Sequence, residues 1–379
     1  MMPKTTPSLL RRKQPQPTIT SLHLPFDLVE EEILCRLPVK HLLRLRCVSK
    51  SWNSLISGDS NFANKHLRLS IANYDHHHLI LSSPEFVLFH SPISSFFSSA
   101  NITMSIYSLR ESLNKKILYA NRASTCDGII CFKIDNSSAL LCNPSIRKFK
   151  ILPPISFSDQ GYFQTLYTLY TLVYDRFTNK YKIIAVYTCS LKKEVHVHTL
   201  GTDYWRRIQD YPGPNFILRA RSGTFVNDSV NWLTRESDSC AQYIVSLDLE
   251  KELYQKLSLP VFDVHFTTSC VTTLGTLRGC LSLFCYRDMF CDVWIMKEYG
   301  NQKSWTKLLT VPPMRDCHYY SYSEVFYISK DDQVLMEVMK SGYFTLVVYD
   351  SINNIFKIPN FQNYAMTPDV YVESLISPL

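Results

Sequence analysis

Five copies of one pattern, spaced roughly fifty residues apart, constrain this chain more than any other feature of it. Each copy is an apolar strand, a polar turn, an aromatic flanked by Lys or Arg, then a hydrophobe before Pro. The copies are "LLCNPSIRKFKILPP", "HTLGTDYWRRIQDYP", "VSLDLEKELYQKLSLP", "IMKEYGNQKSWTKLLTVP" and "VVYDSINNIFKIP". Their aromatics are Phe149, Trp205, Tyr254, Trp305 and Phe356, in steps of 56, 49, 51 and 51 residues. A second pattern precedes each: "CDGIICF", "YDRFTNKYKIIAVY", "VNDSVNWL", "LRGCLSLF" and "SKDDQVLMEV". These read as turns running into apolar strands. Two hairpins per unit make four strands, and radial repetition of four-stranded blades is a β-propeller. Residues 74–118 and the strand "VYVESLI" lie outside the five units. Pairing the two supplies a sixth blade and removes the free sheet edges.

Residues 23 to about 70 have helical spacing instead. Pro25 and Asp27 form a start signal, and Pro38 ends the first helix and opens the second. Ser49 is placed to cap a third, where Val48, Trp52, Leu55 and Ile56 share one face. "DSNFANKHLRL" adds a short fourth. A unit this small exposes apolar surface on its own and needs a partner or a neighbouring domain. The expected fold class is therefore α+β multidomain: a small N-terminal helical domain, residues 22–70, then an all-β propeller of about six four-stranded blades, residues 74–379.

Residues 1–21 read as a disordered basic tail and not a signal peptide, being rich in Pro and without an apolar core segment. The first 22 residues carry +4 of the formal net charge of +7. What remains is too little for a nucleic-acid surface, so no nucleic-acid partner is expected. No run of 18 apolar residues occurs, so no membrane span is expected either. Without a secretory signal the 12 cysteines read as reduced thiols. The expected location is the cytoplasm, the nucleus or both.

Constellations for catalysis are missing. There is no Gly-rich phosphate loop, H-E-x-x-H, G-x-S-x-G or C-x-x-C. "HHH" at His76–His78 reads as a solvated loop, and His196 with His198 as one face of a strand. Cys126 and Cys131 are read on opposite faces of one strand, unable to share an ion. "DRFTNKYK" and "DSINN" lack the alternating acids of a calcium loop and read as turns. No catalytic residue, metal or cofactor is expected. Recognition remains. In each unit a loop of about ten residues follows the terminal Pro, and all such loops emerge on one face. They carry Tyr162, Phe163, Phe216, Arg219, Arg221, Phe262, His265, Arg315, His318, Tyr319 and Tyr320, residue types suited to protein recognition from a rigid scaffold.

The stretch "LPFDLVEEEILCRLPVKHLLRLRCVSKSWNSLI", Leu24 to Ile56, resembles an F-box. The remainder resembles the F-box-associated interaction domain of plant F-box proteins, through "CDGIIC", "CNPSIRKFKILP", "YDRFTNKYKI", "VHTLGTDYWRRI", "GTFVNDSVNWL", "DVWIMKEYGNQKSWTKL" and "VYVESLISP". The kelch Gly-Gly doublet is absent, so kelch-like describes the shape alone. The resemblance implies a non-enzymatic substrate receptor of an SCF-type ubiquitin ligase. Its F-box would dock the Skp-family adaptor, and through it cullin and the RING subunit; its propeller would hold an unidentified target protein. By family pattern, Leu24, Pro25, Ile33, Leu34, Leu37, Pro38, Leu42, Leu43, Val48, Trp52 and Leu55 form the adaptor contact and the F-box core together. The alternatives are a non-degradative F-box scaffold or a glycan-binding propeller. A propeller enzyme is the rival from another class.

Two departures from the pattern stand out. Asp228 occupies a position where the family has Gly. Asp27 and Ile33 are six apart, one residue more than the pattern allows. An added residue rotates everything upstream by about 100° and 1.5 Å. Either Val29 replaces Leu28 as the apolar anchor, or a single π-turn at Glu30–Glu32 absorbs the insertion.

Overall fold

The repeat positions become the joints between neighbouring blades. A computed structural model describes residues 28–83, 85, 87–98, 102–109, 121–157, 167–188, 193–212, 215–216, 222–235, 241–262, 271–287, 290–314, 320–340, 343–359 and 366–379. Six antiparallel sheets form a six-bladed propeller. Blade two runs outward from the central channel through Asn121–Cys126, Ile129–Lys133, Ala139–Asn143 and Lys148–Ile151. Blade three runs Tyr167–Asp175, Lys180–Thr188, Lys193–Thr199 and Trp205–Arg207. Blade four has its inner strand in two pieces, Asn215–Phe216 and Thr224–Val226, before Ser229–Arg235, Gln242–Asp248 and Tyr254–Leu257. Blade five comprises Val271–Leu277, Cys280–Arg287, Phe290–Met296 and Trp305–Val311, and blade six Tyr320–Ile328, Gln333–Lys340, Tyr343–Asp350 and Ile355–Lys357.

Blade one is assembled from both ends of the propeller, as the unassigned stretches suggested. Thr367–Val372 pairs antiparallel with His77–Ser82, followed by Val87–Pro92 and Ser105–Ser108. The closing strand ends at Val372, so "ESLI" of the expected strand "VYVESLI" lies beyond it.

Six apolar clusters fill the seams between successive blades. The cluster between blades two and three, for instance, combines Cys131 and Leu141 with Leu172 and Ile183. The repeated aromatics reach across the seams. Trp205 Nε1 donates to Pro153 O at 2.7 Å, Tyr254 Oη to Gln209 O at 3.1 Å, and Trp305 Nε1 to Ser258 O at 3.0 Å. Each acceptor belongs to the preceding blade, just past its outer strand. Phe149 and Phe356 have no donor and simply pack against their seams.

The upstream repeats are tight turns between inner and second strands. Among the described residues, nine non-glycine positions have positive φ, from Asp127 to Asn354. All lie at turns joining first to second or third to fourth strands, and those turns share one face. Asp228 takes φ +55°, left-handed geometry that Asp tolerates, which answers the missing glycine. Asp175 accepts from Phe177 N at 2.9 Å and Thr178 Oγ1 at 2.6 Å, and Asp350 from Ile352 N and Asn353 N. These motifs are local turns. The turn at Asp127–Gly128 also corrects the reading of Cys126 and Cys131, which stand on adjacent strands and not on one.

Candidate functional site

The F-box helices are α1 (Val39–Leu45), α2 (Lys50–Gly58) and α3 (Ser60–Ala72). Ser49 Oγ accepts from Trp52 N at 3.1 Å, capping α2 as expected. Asp59 caps α3 through Asn61 N and Phe62 N. Asp27, Leu24 and Pro25 lie outside the described residues. The extra residue upstream is absorbed by a π-turn at Val29–Ile33, closed by Leu34 N–H to Val29 O, with a 3-10 turn at Leu34–Arg36 following it. Val29 also turns inward against the F-box core while Leu28 is exposed, so the π-turn and the exchange of Leu28 for Val29 occur together; the expected one-residue shift of the Leu24–Pro25 entry lies outside the described residues.

The predicted adaptor residues separate into two sets. Leu34 and Leu42 are fully buried with Cys35, Val39, Ile56 and Phe62. Leu37, Leu43, Trp52 and Leu55 pack half-buried around that centre. Ile33 at 43% and Val48 at 63% exposure face outward, as does Pro38. Leu28, which the sequence reading discounted as falling off the helix face, is 49% exposed and joins the outward apolar residues. Exposed large apolar side chains are informative when they cluster on an unpartnered domain.

The F-box rests on the turn face of the propeller. His76–His78 is correspondingly not a solvated loop. His76 is buried, with its Nδ1 3.0 Å from Ser70 Oγ and 3.1 Å from Glu373 Oε1. His66 Nε2 donates to Leu37 O at 3.0 Å. Tyr327 Oη pairs with His77 Nδ1 at 3.1 Å. Burial pulls His66, His77 and His90 below the ordinary imidazole value and His78 down to about 4. Among the described residues no group of three or more His, Cys, Asp or Glu is arranged to hold a metal ion. His196 pairs with Glu194, and His198 with Tyr204 O.

The opposite face carries the blade-to-blade crossovers. There Ile155 N donates to Ser137 O, tying the crossover after blade two to the middle hairpin of that blade, and Thr168 Oγ1 of blade three's inner strand donates to Asn136 O of the same hairpin. Phe157 stacks on Tyr187 at 3.7 Å and 11°. Of the predicted target-binding residues, Tyr162, Phe163, Arg219, Arg221, His265, Arg315, His318 and Tyr319 lie outside the described residues. The backbones of Phe216 and Tyr320 lie in inner strands of blades four and six. Phe262 packs edge-on against Trp294 at 5.7 Å, in the seam between blades four and five. The channel between the faces holds a cavity of about 490 Å³ bordered by Asp127, Glu324, Asp369 and His77, with no Lys or Arg among its described lining residues.

Comparisons with known proteins agree with this architecture. The F-box domain family matches residues 21–64, and the F-box associated beta propeller domain family matches residues 80–378. An F-box/kelch-repeat protein of Arabidopsis thaliana is 31% identical over 370 residues, covering 94% of this chain and 96% of that protein. The F-box protein CPR1 of the same plant is 28% identical over 339 residues, covering 83% and 79%. A helical F-box followed by a six-bladed propeller is the make-up of an SCF-type substrate receptor in general. The chain belongs to the family of F-box proteins with an F-box-associated β-propeller.

Proposed function

We propose that this protein is the substrate-recognition subunit of an SCF-type ubiquitin ligase. The F-box docks a Skp-family adaptor, and through it cullin and the RING subunit, while the crossover face of the propeller binds a target protein. The receptor makes and breaks no bonds itself. It raises the effective concentration of target lysines near the charged ubiquitin-conjugating enzyme. The observation that carries this reading is the arrangement of the two faces. Outward-facing Leu28, Ile33 and Val48 lie on the F-box side, and the long crossovers lie on the other. Adaptor and target then bind one body without competing. A location in the cytoplasm or nucleus, where ubiquitin ligation operates, fits the reading.

The test is affinity purification of the intact chain beside Ile33→Asp/Val48→Asp. Both positions are exposed, so the substitutions should leave the fold intact and affect docking alone. The unaltered chain should recover adaptor and cullin. The double variant should lose adaptor binding by about a hundredfold, the size expected when apolar contact centres become charged. It should meanwhile retain target proteins, whose levels rise on proteasome block with the unaltered chain. Failure of the unaltered chain to recover an adaptor would overturn the reading.

A further inference from the structure

Beyond the ring-closing strand, the chain runs into the seam between F-box and propeller. Leu375 is buried inside the F-box core, in one cluster with Leu34, Val39, Leu42, Ile56 and Phe62. Ile376 belongs instead to the seam of blades two and three, together with Leu67 of α3. Ser374, just before them, is fully buried. Its hydroxyl donates to Asp127 O at 2.7 Å, and Asn143 Nδ2 donates to Ser374 O at 3.1 Å and to Ile376 O at 2.8 Å. Glu373 Oε2 accepts the N–H of Val39 at 3.3 Å across 334 residues of sequence. Val39 opens α1, so its N–H has no partner within the helix. Pro38 precedes it and offers no side-chain cap. The cap therefore comes from the other end of the chain.

We propose that Glu373–Ile376 positions the adaptor-docking unit: the F-box becomes competent to dock only when the propeller ring has closed. The proposal rests on the adaptor-docking reading above. Its physical basis is the size of the F-box. Helices of 7, 9 and 13 residues are too short to persist without tertiary packing. One of the buried side chains at the centre of that packing is Leu375. Only two residues separate Leu375 from Val372, the last residue of the strand that pairs with His77–Ser82. Closing the ring and filling the F-box core are thus one event. A receptor whose ring is open would present an F-box with an empty centre and an uncapped α1, and would not occupy an adaptor.

The test compares the full chain with Leu375→Asp, with removal of residues 373–379, and with the conservative Leu375→Met. Two quantities are measured: affinity for a purified Skp-family adaptor, and backbone amide exchange of α1 and of blades three to five. Leu375→Asp and the deletion should each weaken adaptor binding about tenfold or more and speed exchange in α1 by a similar factor, the scale of losing a buried core side chain. Protection in blades three to five should be unchanged, and Leu375→Met should restore both quantities to within about threefold, as volume-conserving swaps do. Unchanged adaptor binding with α1 still protected in the deletion would overturn the proposal. So would loss of protection in all blades, which would make the segment a general folding element. If the unaltered chain binds no adaptor, the docking reading fails, and the exchange comparison alone decides the role of the segment.

Discussion

Gly128 shows how one residue can serve two structures. Its φ of +82° is left-handed, which glycine adopts freely and other residues do not. A Cβ at this position would overlap Ser374 Oγ and lie 2.6 Å from Val372 O. Gly279 occupies the equivalent turn of blade five at φ +73° but has nothing within 4 Å of a built Cβ. The pair separates backbone strain from steric overlap. Gly279→Ala should cost about 1–2 kcal/mol, the conformational part alone. Gly128→Ala should cost about 2–4 kcal/mol, because crowding against the buried Ser374 adds to it. Urea midpoints measure both, and equal losses would show that Ser374 moves aside freely. The turn at Asp127–Gly128 was legible in the sequence as one of five related turns. The requirement for glycine there was not, because the atoms it must avoid lie over two hundred residues away.

At the scale of elements, the repeats were readable because each blade solves the same local problem with the same residues. The aromatic of the outer strand fills the seam to its neighbour, and in Trp205, Tyr254 and Trp305 it also reaches a carbonyl of the preceding blade, so aromatics recur at matching positions. The histidines were misread for the opposite reason. Nothing local distinguishes "HHH" in solvent from "HHH" under a docked domain, and the burial of His76 depends on Ser70 and Glu373. The exchange of Leu28 for Val29 was legible, by contrast, because it follows from local helix geometry: Val29 packs inward and Leu28 is exposed. The π-turn makes a further prediction. Deleting Glu31 should convert Val29–Ile33 to an ordinary α-turn. It would sacrifice the Glu31 side chain's contact with Lys65 at 3.6 Å, worth at most about 1 kcal/mol, and shift to a neighbouring carbonyl the bond that Cys35 Sγ gives to Glu31 O. Adaptor affinity, measured by calorimetry, should then be equal or higher. A clear loss would mean that the π-turn itself shapes the docking surface.

For the whole molecule, the junction between F-box and propeller should respond to pH. His78 is held at about 4 by burial, with Glu373 opposing that shift and His90, His76 and His77 reinforcing it. Its folded value lies below the unfolded one, so the unfolded chain binds more protons between the two values. Stability is then fully present above about pH 6.5 and falls as pH drops toward 4, by up to about 3 kcal/mol from this residue. Lowered values at His66, His77 and His90 act in the same sense. Asp127, raised by burial, acts in the opposite one. Urea midpoints at pH 7.5, 6 and 5 should fall in order, and His78→Gln should flatten the series; a level series would contradict the assignment. The left-handed turns carry a different consequence. Their dihedral demands are confined, among the described residues, to the side bearing the F-box. Those connections are short and tolerate few residue types, whereas the crossover side is joined by long spans such as 152–166. Substitutions at the left-handed turns therefore meet a conformational demand that the described crossover residues do not impose. On the proposed reading, chains built on this plan can vary what the crossover side meets while the F-box side stays the same, so a new specificity needs no new docking unit.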